Sequence, residues 1–288
     1  MTNGAKPTPH TGSRLDAPLL GSSYLFISLA LAGYATFGLH PELVANVPGA
    51  ARYYGLIYAN IGYLQVWALW LVLAAFLVRH AGPRWIPAFV AVYALSFLSE
   101  FLGTSYGIPF GGYAYSGLLG PKWFDRVPWV IPLSWFAMAV PSFALAQSVG
   151  RARGPLARIF FAAALLVAWD LALDPAMSFL TPYWIWSETG PYYGMPWMNL
   201  AGWFFTAVVL MGALSVLRAG RWIDRLNVPW LAGYYGVNIL MPVGMLVAAG
   251  SWLGVVTTAA IYAVLGGVAV LATQRSNALV PASADARS

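Results

Sequence analysis

The feature that most constrains this chain is a succession of long apolar stretches that are nearly free of charge. Of its 288 residues, 60% are hydrophobic and only 8% are charged, whereas soluble domains carry about 25% charged residues. A helix needs roughly 20 apolar residues to cross a hydrocarbon core of about 30 Å. The stretches lack period-two alternation, and lipid offers no partner for unpaired backbone groups. The sequence therefore predicts an all-α polytopic membrane protein.

Eight such stretches predict about eight transmembrane helices, some joined by aromatic, glycine-rich outer loops. We expect a polar N-terminal tail over residues 1–21, a transmembrane helical domain over 22–272 and a polar C-terminal tail over 273–288. The first helix is expected to remain uncleaved. The predicted helices cover 22–39, 53–78, 85–102, 128–149, 158–176, 199–217, 230–249 and 252–272.

The distribution of lysine and arginine predicts the orientation in the cell membrane. One set of loops and tails holds Lys6, Arg14, Arg79, Arg84, Arg151, Arg153, Arg158, Arg218, Arg221, Arg225, Arg275 and Arg287. The other set holds only Arg52, Lys122 and Arg126. Because cytoplasmic loops carry the excess of basic residues, both termini are predicted to be cytoplasmic. Segments 103–127 and 177–198 then lie on the outer side, where we expect them to fold back over the helices.

Composition also excludes several classes of function. The chain has no cysteine, which excludes disulfides, thiolate metal sites and a cysteine nucleophile. Its three histidines, His10, His40 and His80, fall in tails or at helix ends, so no metal site is predicted. The net charge of +6 is scattered over short loops, which argues for membrane topology rather than nucleic-acid binding.

Three carboxyl groups are predicted to lie inside membrane helices: Glu100 in the third helix, and Asp170 and Asp174 in the fifth. At 1.5 Å per residue they lie about 18–24 Å from the cytoplasmic helix ends, in the outer half of the membrane. Asp170 and Asp174 are spaced i, i+4 and share one face, so mutual repulsion favours a proton on at least one of them. Intramembrane carboxyls are functional-site hypotheses, and these three are the predicted catalytic residues. The alternative is a structural role in the bundle.

Aromatic residues cluster around the predicted acids. Ring faces beside a proton donor suit a reaction that forms a carbocation, because the ring quadrupole stabilises positive charge. An interfacial aromatic belt is the structural alternative. The predicted substrate-binding aromatics are Tyr113, Tyr115, Trp135, Trp169, Trp186, Tyr193, Trp197 and Trp203.

A short internal similarity relates the two acid-bearing regions. Pro128-Trp129 is followed by Trp135, and Pro196-Trp197 is followed by Trp203 at the same spacing. This pattern predicts a parallel repeat of helices three–four and five–six, with the acids facing a shared cavity. In a chain with 14 Trp and 20 Pro, chance is the competing explanation.

At these residues the sequence resembles the membrane-bound carotenoid hydratases of the CruF type, a family that includes the bisanhydrobacterioruberin hydratases. The resemblance covers roughly residues 95–205. It is carried by Ser99-Glu100, Gly103, Pro109-Phe110-Gly111, Tyr113, Tyr115, Gly120-Pro121, Val127-Pro128, Ile131-Pro132-Leu133-Ser134-Trp135, Trp169-Asp170-Leu171, Asp174-Pro175, Tyr193-Gly194, Pro196 and Asn199. Asn199 joins the predicted substrate-binding residues.

The resemblance implies addition of water across the terminal C1′=C2′ double bond of an acyclic carotenoid end group, which yields a tertiary alcohol. The implied substrate is lycopene, γ-carotene or a similar carotenoid that enters from lipid, and no cofactor is required. The predicted acids suit this chemistry. One carboxylic acid protonates C2′, ring faces stabilise the cation at C1′, and a second carboxylate positions the attacking water.

Two other functions use the same residues. Asp170 and Asp174 would suit a Mg-dependent intramembrane prenyltransferase, although such a site also needs basic partners for the phosphates. The same acids would also suit a proton-coupled transporter, which needs a polar path through both leaflets. The sequence alone leaves the oligomeric state and the identity of the proton donor open.

Overall fold

The computed structural model describes residues 14–149 and 154–278, and these are overwhelmingly helical. The helices are α1 (Asp16–Gly33), α2 (Ala50–Ala81), α3 (Ile86–Tyr106), α4 (Val130–Val149), α5 (Pro155–Asp174), α6 (Trp197–Val216), α7 (Gly220–Ile223), α8 (Val228–Ala248) and α9 (Trp252–Ala278). Within this part of the chain, seven stretches are long and apolar enough to cross a membrane. One of them, Ala50–Tyr106, contains both α2 and α3, joined by the 3-10 turn Gly82–Trp85. The predicted all-α membrane fold is confirmed.

The first helix begins earlier than predicted, at Asp16 rather than at residue 22. Asp16 is buried, and its carboxylate lies 3.0 Å from Arg79 Nη2 and 3.0 Å from His80 Nε2 at the end of α2. A carboxylate in the first turn also interacts favourably with the helix dipole. The predicted tail residues 1–13 and 279–288 lie outside the described residues. So do the basic residues Lys6, Arg151, Arg153 and Arg287 and the side chain of Arg275.

Helix α4 forms the centre of the bundle. Of the most apolar part of α4, 83% of the residues are buried. The corresponding share is 11% in the first stretch, Asp16–Gly38, and 17% in the last, Trp252–Gln274. Helix α4 contacts α2, α3, α5 and α8, while α5 packs along α6. The first and last helices therefore present most of their apolar surface to lipid, and the residues on α4 are shielded from it.

The two long loop segments pair with each other at one end of the bundle. Strand β1 (Tyr113–Tyr115) pairs with β4 (Trp184–Trp186) in an antiparallel register that sets Tyr113 opposite Trp186. A second, shorter ribbon joins β2 (Lys122–Trp123) to β3 (Val127–Pro128). In β1 and β4 the aromatic side chains point into the bundle, while Ala114 and Ile185 face outward. These segments fold back over the helices as predicted, but as strands, which the sequence analysis did not anticipate.

Candidate active site

The three predicted acids meet at the end of the bundle that is covered by β1 and β4. Glu100 lies near the end of α3, and Asp170 and Asp174 occupy the last two turns of α5; all three are at most 3% exposed. Glu100 and Asp174 line one cavity of about 40 Å³. The walls of this cavity, which we call the acid cavity, also include Phe110, Tyr113, Tyr115, Ile131, Ser134, Trp135, Leu173, Trp184, Trp186, Asn199 and Trp203.

Glu100 accepts hydrogen bonds from three aromatic side chains. Trp135 Nε1 donates to Oε1 at 2.8 Å, Tyr115 donates its hydroxyl to Oε2 at 2.8 Å, and Tyr113 donates to the same oxygen. Burial, together with the neighbouring Glu100 carboxylate, holds the pKa of Tyr113 and of Tyr115 well above the usual range, so both remain donors. Three donors favour the ionised form of this carboxyl group.

Gly103 makes the tyrosine contact with α3 possible. A Cβ at this position would lie 2.8 Å from Phe110 Cδ2 and 3.0 Å from the Tyr113 hydroxyl. Both distances are too short for carbon in a packed interior. The absence of a side chain at Gly103, one turn after Glu100, therefore allows Tyr113 to reach the carboxylate from β1.

Asp174 is also saturated with donors. Trp184 Nε1 lies 2.9 Å and Ser178 Oγ 3.0 Å from Oδ1, and Asn199 Nδ2 lies 2.6 Å from Oδ2. Ser178 belongs to a π-helical turn, Pro175–Leu180, that continues α5 directly after Asp174. Such wide turns are frequent at functional sites. Asn199 comes from the first turn of α6, so Asp174 joins three separate elements of the chain.

Asp170 differs from both other acids. Its Oδ1 is buried without a hydrogen-bond partner, and its Oδ2 has only Asn199 Nδ2 at 3.5 Å. Because no close donor stabilises a negative charge, and Asp174 lies one turn away on the same face, the geometry favours a neutral, protonated Asp170. Asn199 contacts both carboxyls of the pair.

Aromatic rings from the two predicted repeat units meet face to face beside the acids. Trp135 on α4 stacks on Trp203 on α6 with ring centroids 4.1 Å apart and an interplanar angle of 23°. Trp169 meets Trp203 edge-on at 6.0 Å, and Tyr113 packs on Trp186 at 5.3 Å. Trp135 and Trp203, which occupy equivalent positions in the two similar segments, are therefore direct neighbours. The two aromatic strands, β1 and β4, are also direct neighbours.

Most of the predicted substrate-binding residues line the acid cavity, but three do not. Trp169 lines an adjoining cavity and donates its Nε1 to the Asn238 carbonyl. Tyr193 sits in a left-handed turn, with its hydroxyl bonded to the backbone of Ser251 and Gly254. Trp197 is the first residue of α6 and is 66% exposed. The local backbone directs these three side chains away from the acid cavity, and the spacing of residues along the sequence does not predict that direction.

Sequence reasoning missed several residues of the acid cavity. Trp184 and Ser178 donate to Asp174, and Phe110 is fully buried in the cavity wall. A signal for Trp184 was present: Tyr113-Ala114-Tyr115 and Trp184-Ile185-Trp186 share an alternating aromatic pattern typical of half-buried strands. Within the described ranges, no group of three or more His, Asp or Glu side chains is arranged to hold a metal ion.

Comparisons with known proteins give the site a context. Residues 61–265 match the model of a family described as carotenoid biosynthesis protein. A bisanhydrobacterioruberin hydratase of Haloarcula japonica is 32% identical over 149 residues, which cover 51% of this chain and 47% of the relative, so the match spans about half the length of that protein. No solved structure matches. The family match covers more than two thirds of the sequence and includes all three buried acids, and the chain belongs to the carotenoid biosynthesis protein family.

Proposed function

We propose that this protein is a carotenoid hydratase that adds water to the terminal C1′=C2′ double bond of an acyclic carotenoid end group. The observation that carries the proposal is an aromatic-lined cavity with two buried, donor-rich carboxyls in its wall, Glu100 and Asp174, while a third carboxyl without close donors, Asp170, lies one helical turn from Asp174. The family and the name of the Haloarcula relative support the same substrate class and reaction.

The first step is protonation of the alkene by the aspartate pair. Asp170 holds the proton, and Asn199, which contacts both carboxyls, keeps Asp170 and Asp174 aligned. Asp174, the carboxylate that lines the cavity, accepts this proton from Asp170 and passes it to C2′. The π electrons of the double bond form the new C–H bond, which leaves a tertiary cation at C1′. A general acid of this kind typically contributes about 10²–10⁴-fold to the rate.

The second step is stabilisation of the cation by the ring faces in the cavity wall. Trp203, Trp135 and Trp186 all line the acid cavity. A cation over a desolvated indole ring gains about 2 kcal/mol. The rings contain no nucleophile strong enough to compete with water, so they stabilise the intermediate without trapping it.

The third step is capture of water with help from Glu100. As the water oxygen bonds to C1′, Glu100 accepts one of its protons, and the product is the tertiary alcohol. The donors Tyr113, Tyr115 and Trp135 keep Glu100 ionised before this step and hold it in position. Return of that proton to the aspartate pair restores the starting state, so the cycle consumes only alkene and water and requires no cofactor.

The proposed substrate is lycopene, γ-carotene or a related carotenoid with a free acyclic end, taken up from lipid. We further propose that both termini are cytoplasmic and that the acid cavity faces the outer side. Arg158, Arg218 and Arg221 line one cavity together, which supports a common basic end of the bundle. Reporters fused after residues 154 and 223 should read cytoplasmic, and one inserted near residue 188 should read external. A cytoplasmic reading at 188 would reverse this orientation.

The proposed reaction is tested by expression in a lycopene-producing bacterium that lacks a hydratase, followed by mass analysis of the pigments. A hydratase yields pigments heavier by one water per modified end, and the added oxygen carries the label when the cells grow in ¹⁸O-labelled water. Label from dioxygen instead would identify an oxygenase. Sensitivity to chelators with diphosphate substrates would favour the prenyltransferase. Flux into vesicles without chemical change would favour the transporter.

A further inference from the structure

A second cavity of about 70 Å³ adjoins the acid cavity toward the middle of the bundle. Both cavities are lined by Ile131, Ser134, Leu173 and Trp184, so these four side chains lie between the two spaces. The second cavity is bounded on its far side by α2, from Gly62 to Leu69. A ligand that occupies both cavities has to pass these four side chains.

A third and larger cavity of about 480 Å³ lies beyond the second, between α1 and α2. Tyr183 lines both the second and the third cavity. The wall of the third cavity includes Leu29 and Ile57, which are 64% and 58% exposed on the outer surface of the bundle. Exposed leucine and isoleucine on a membrane helix face lipid, so this cavity opens toward the acyl chains.

Gly62 packs directly against Tyr183 where the second and third cavities adjoin. Tyr183 is 6% exposed, and its backbone is held by hydrogen bonds to Met177, Thr181 and Ser116. A Cβ at Gly62 would lie 2.4 Å from Tyr183 Cε1 and 2.7 Å from its hydroxyl oxygen. The ring thus occupies the space that any larger residue at position 62 would need.

The chemistry of the walls indicates the kind of ligand. Among the described residues that line the second and third cavities there is no Asp, Glu, Lys or Arg side chain. The lining positions on α2 run from Tyr54 to Leu69, which corresponds to about 22 Å along the helix. A passage of this length with apolar walls suits a long, narrow hydrocarbon.

We propose that the three cavities form one channel that binds the hydrocarbon chain of the carotenoid. The chain enters from lipid between α1 and α2 and passes Tyr183, and its terminal alkene reaches the acids. The identity of the reacting end group rests on the proposed hydratase function, whereas the binding of the chain rests on the cavities. Gly62 and Tyr183 then determine which chains are admitted.

The absence of cysteine in the natural chain allows a direct test with single-cysteine variants in membranes. Ile57 lines the third cavity, so Ile57→Cys is the test variant. Its neighbour Leu56 is similarly exposed (65%) but does not line the cavity, so Leu56→Cys is the control. Lycopene at ten times its dissociation constant should slow N-ethylmaleimide labelling of Ile57→Cys about tenfold. Labelling of Leu56→Cys should not change. Equal labelling rates at position 57 with and without lycopene would overturn the channel.

A second test narrows the passage. Gly62→Val pushes against Tyr183, whereas Gly55→Val on the same helix has nothing within 4 Å of its Cβ. Gly62→Val should lower lycopene hydration about tenfold or more. Hydration of a short isoprenoid alkene with the same end group should be unchanged. Unchanged turnover of the short substrate would also show that the variant folds. Unchanged lycopene turnover, or equal loss with both substrates, would refute the role of Gly62.

The two proposals fail separately. If the wild-type protein hydrates lycopene but Ile57→Cys is not protected, the channel is wrong and the hydratase stands. If the wild-type protein does not hydrate lycopene but Ile57→Cys is protected, the channel binds a polyene and the proposed reaction is wrong.

Discussion

The two acid-bearing helices differ in how many hydrogen-bond donors their carboxyl groups receive. On α3, Glu100 has three donors within hydrogen-bond reach. On α5, Asp174 has three as well, but Asp170 has one distant contact and a buried oxygen with no partner. A carboxyl group rich in donors suits a base, and one without close donors suits an acid. The comparison teaches that hydrogen bonding, rather than residue type, separates the roles.

The depth of each acid explains the difference. Strand β1 supplies Tyr113 and Tyr115 to Glu100, and β4 supplies Trp184 to Asp174. Asp170 lies four residues before Asp174, about 6 Å deeper along α5. Among the described residues, no side chain from the paired strands donates to Asp170, whose Oδ1 has no hydrogen-bond partner. The strands therefore stabilise the upper two carboxylates and leave the lowest one protonated.

The largest expected effect comes from removing the acids of α5. Asp170→Asn and Asp174→Asn keep the size of the side chain but remove the acidic proton. At least one of them should reduce hydration by about 10²-fold or more, as measured by the ratio of hydrated to parent pigment. The variant protein should still insert and still retain carotenoid. Near-normal activity of both variants would show that the pair is structural.

Glu100→Gln should also reduce hydration strongly, by roughly 10²-fold, because the amide does not accept a proton from water. The fate of the cation separates this variant from the aspartate variants. Without water capture the cation loses a proton and returns to alkene, so substrate recovered from deuterated water should contain deuterium. Substrate recovered from Asp170→Asn or Asp174→Asn should not. Absence of deuterium in the Glu100→Gln sample would remove the division of roles between the two helices.

A smaller effect is expected from Tyr115→Phe, which removes one of three donors to Glu100 and leaves the ring in place. Hydrogen bonds to charged groups contribute about 1.5–3 kcal/mol, and two donors remain, so we expect a loss of about tenfold. Because the pKa of Tyr115 is raised, its hydroxyl does not ionise within the usual assay range. The wild-type pH profile should therefore show no tyrosine inflection below about pH 10. An inflection that disappears in Tyr115→Phe would contradict this protonation state.

The sequence was sufficient for the helices and for the acids, but not for the loops. Hydropathy predicted the long helices because every residue that spans lipid needs its backbone N–H and C=O groups hydrogen-bonded within the protein, and a helix provides this. The cost of burying charge identified Glu100, Asp170 and Asp174 as the residues that meet in the interior. The donors to Asp174 were not predictable in the same way, because Trp184 is held in place by the pairing of β4 with β1, two strands that are far apart in the sequence. Trp197 shows the opposite case. It lies two residues before Asn199 in the sequence, but its side chain is 66% exposed and does not line the acid cavity.

The smallest effect is expected from the exposed acids near the same end of the bundle. Asp125 and Glu188 are exposed in loops, so Asp125→Asn and Glu188→Gln leave the buried network intact. Asp125 has φ +56°, a conformation that asparagine tolerates well. Surface substitutions of this kind usually change stability by less than about 0.5 kcal/mol, and hydration should stay within about twofold of wild type. Both variants are assayed beside Asp174→Asn at matched protein levels. A loss in Glu188→Gln comparable to that in Asp174→Asn would show that proton transfer depends on the loop, and the contrast between buried and exposed acids would no longer explain the activity.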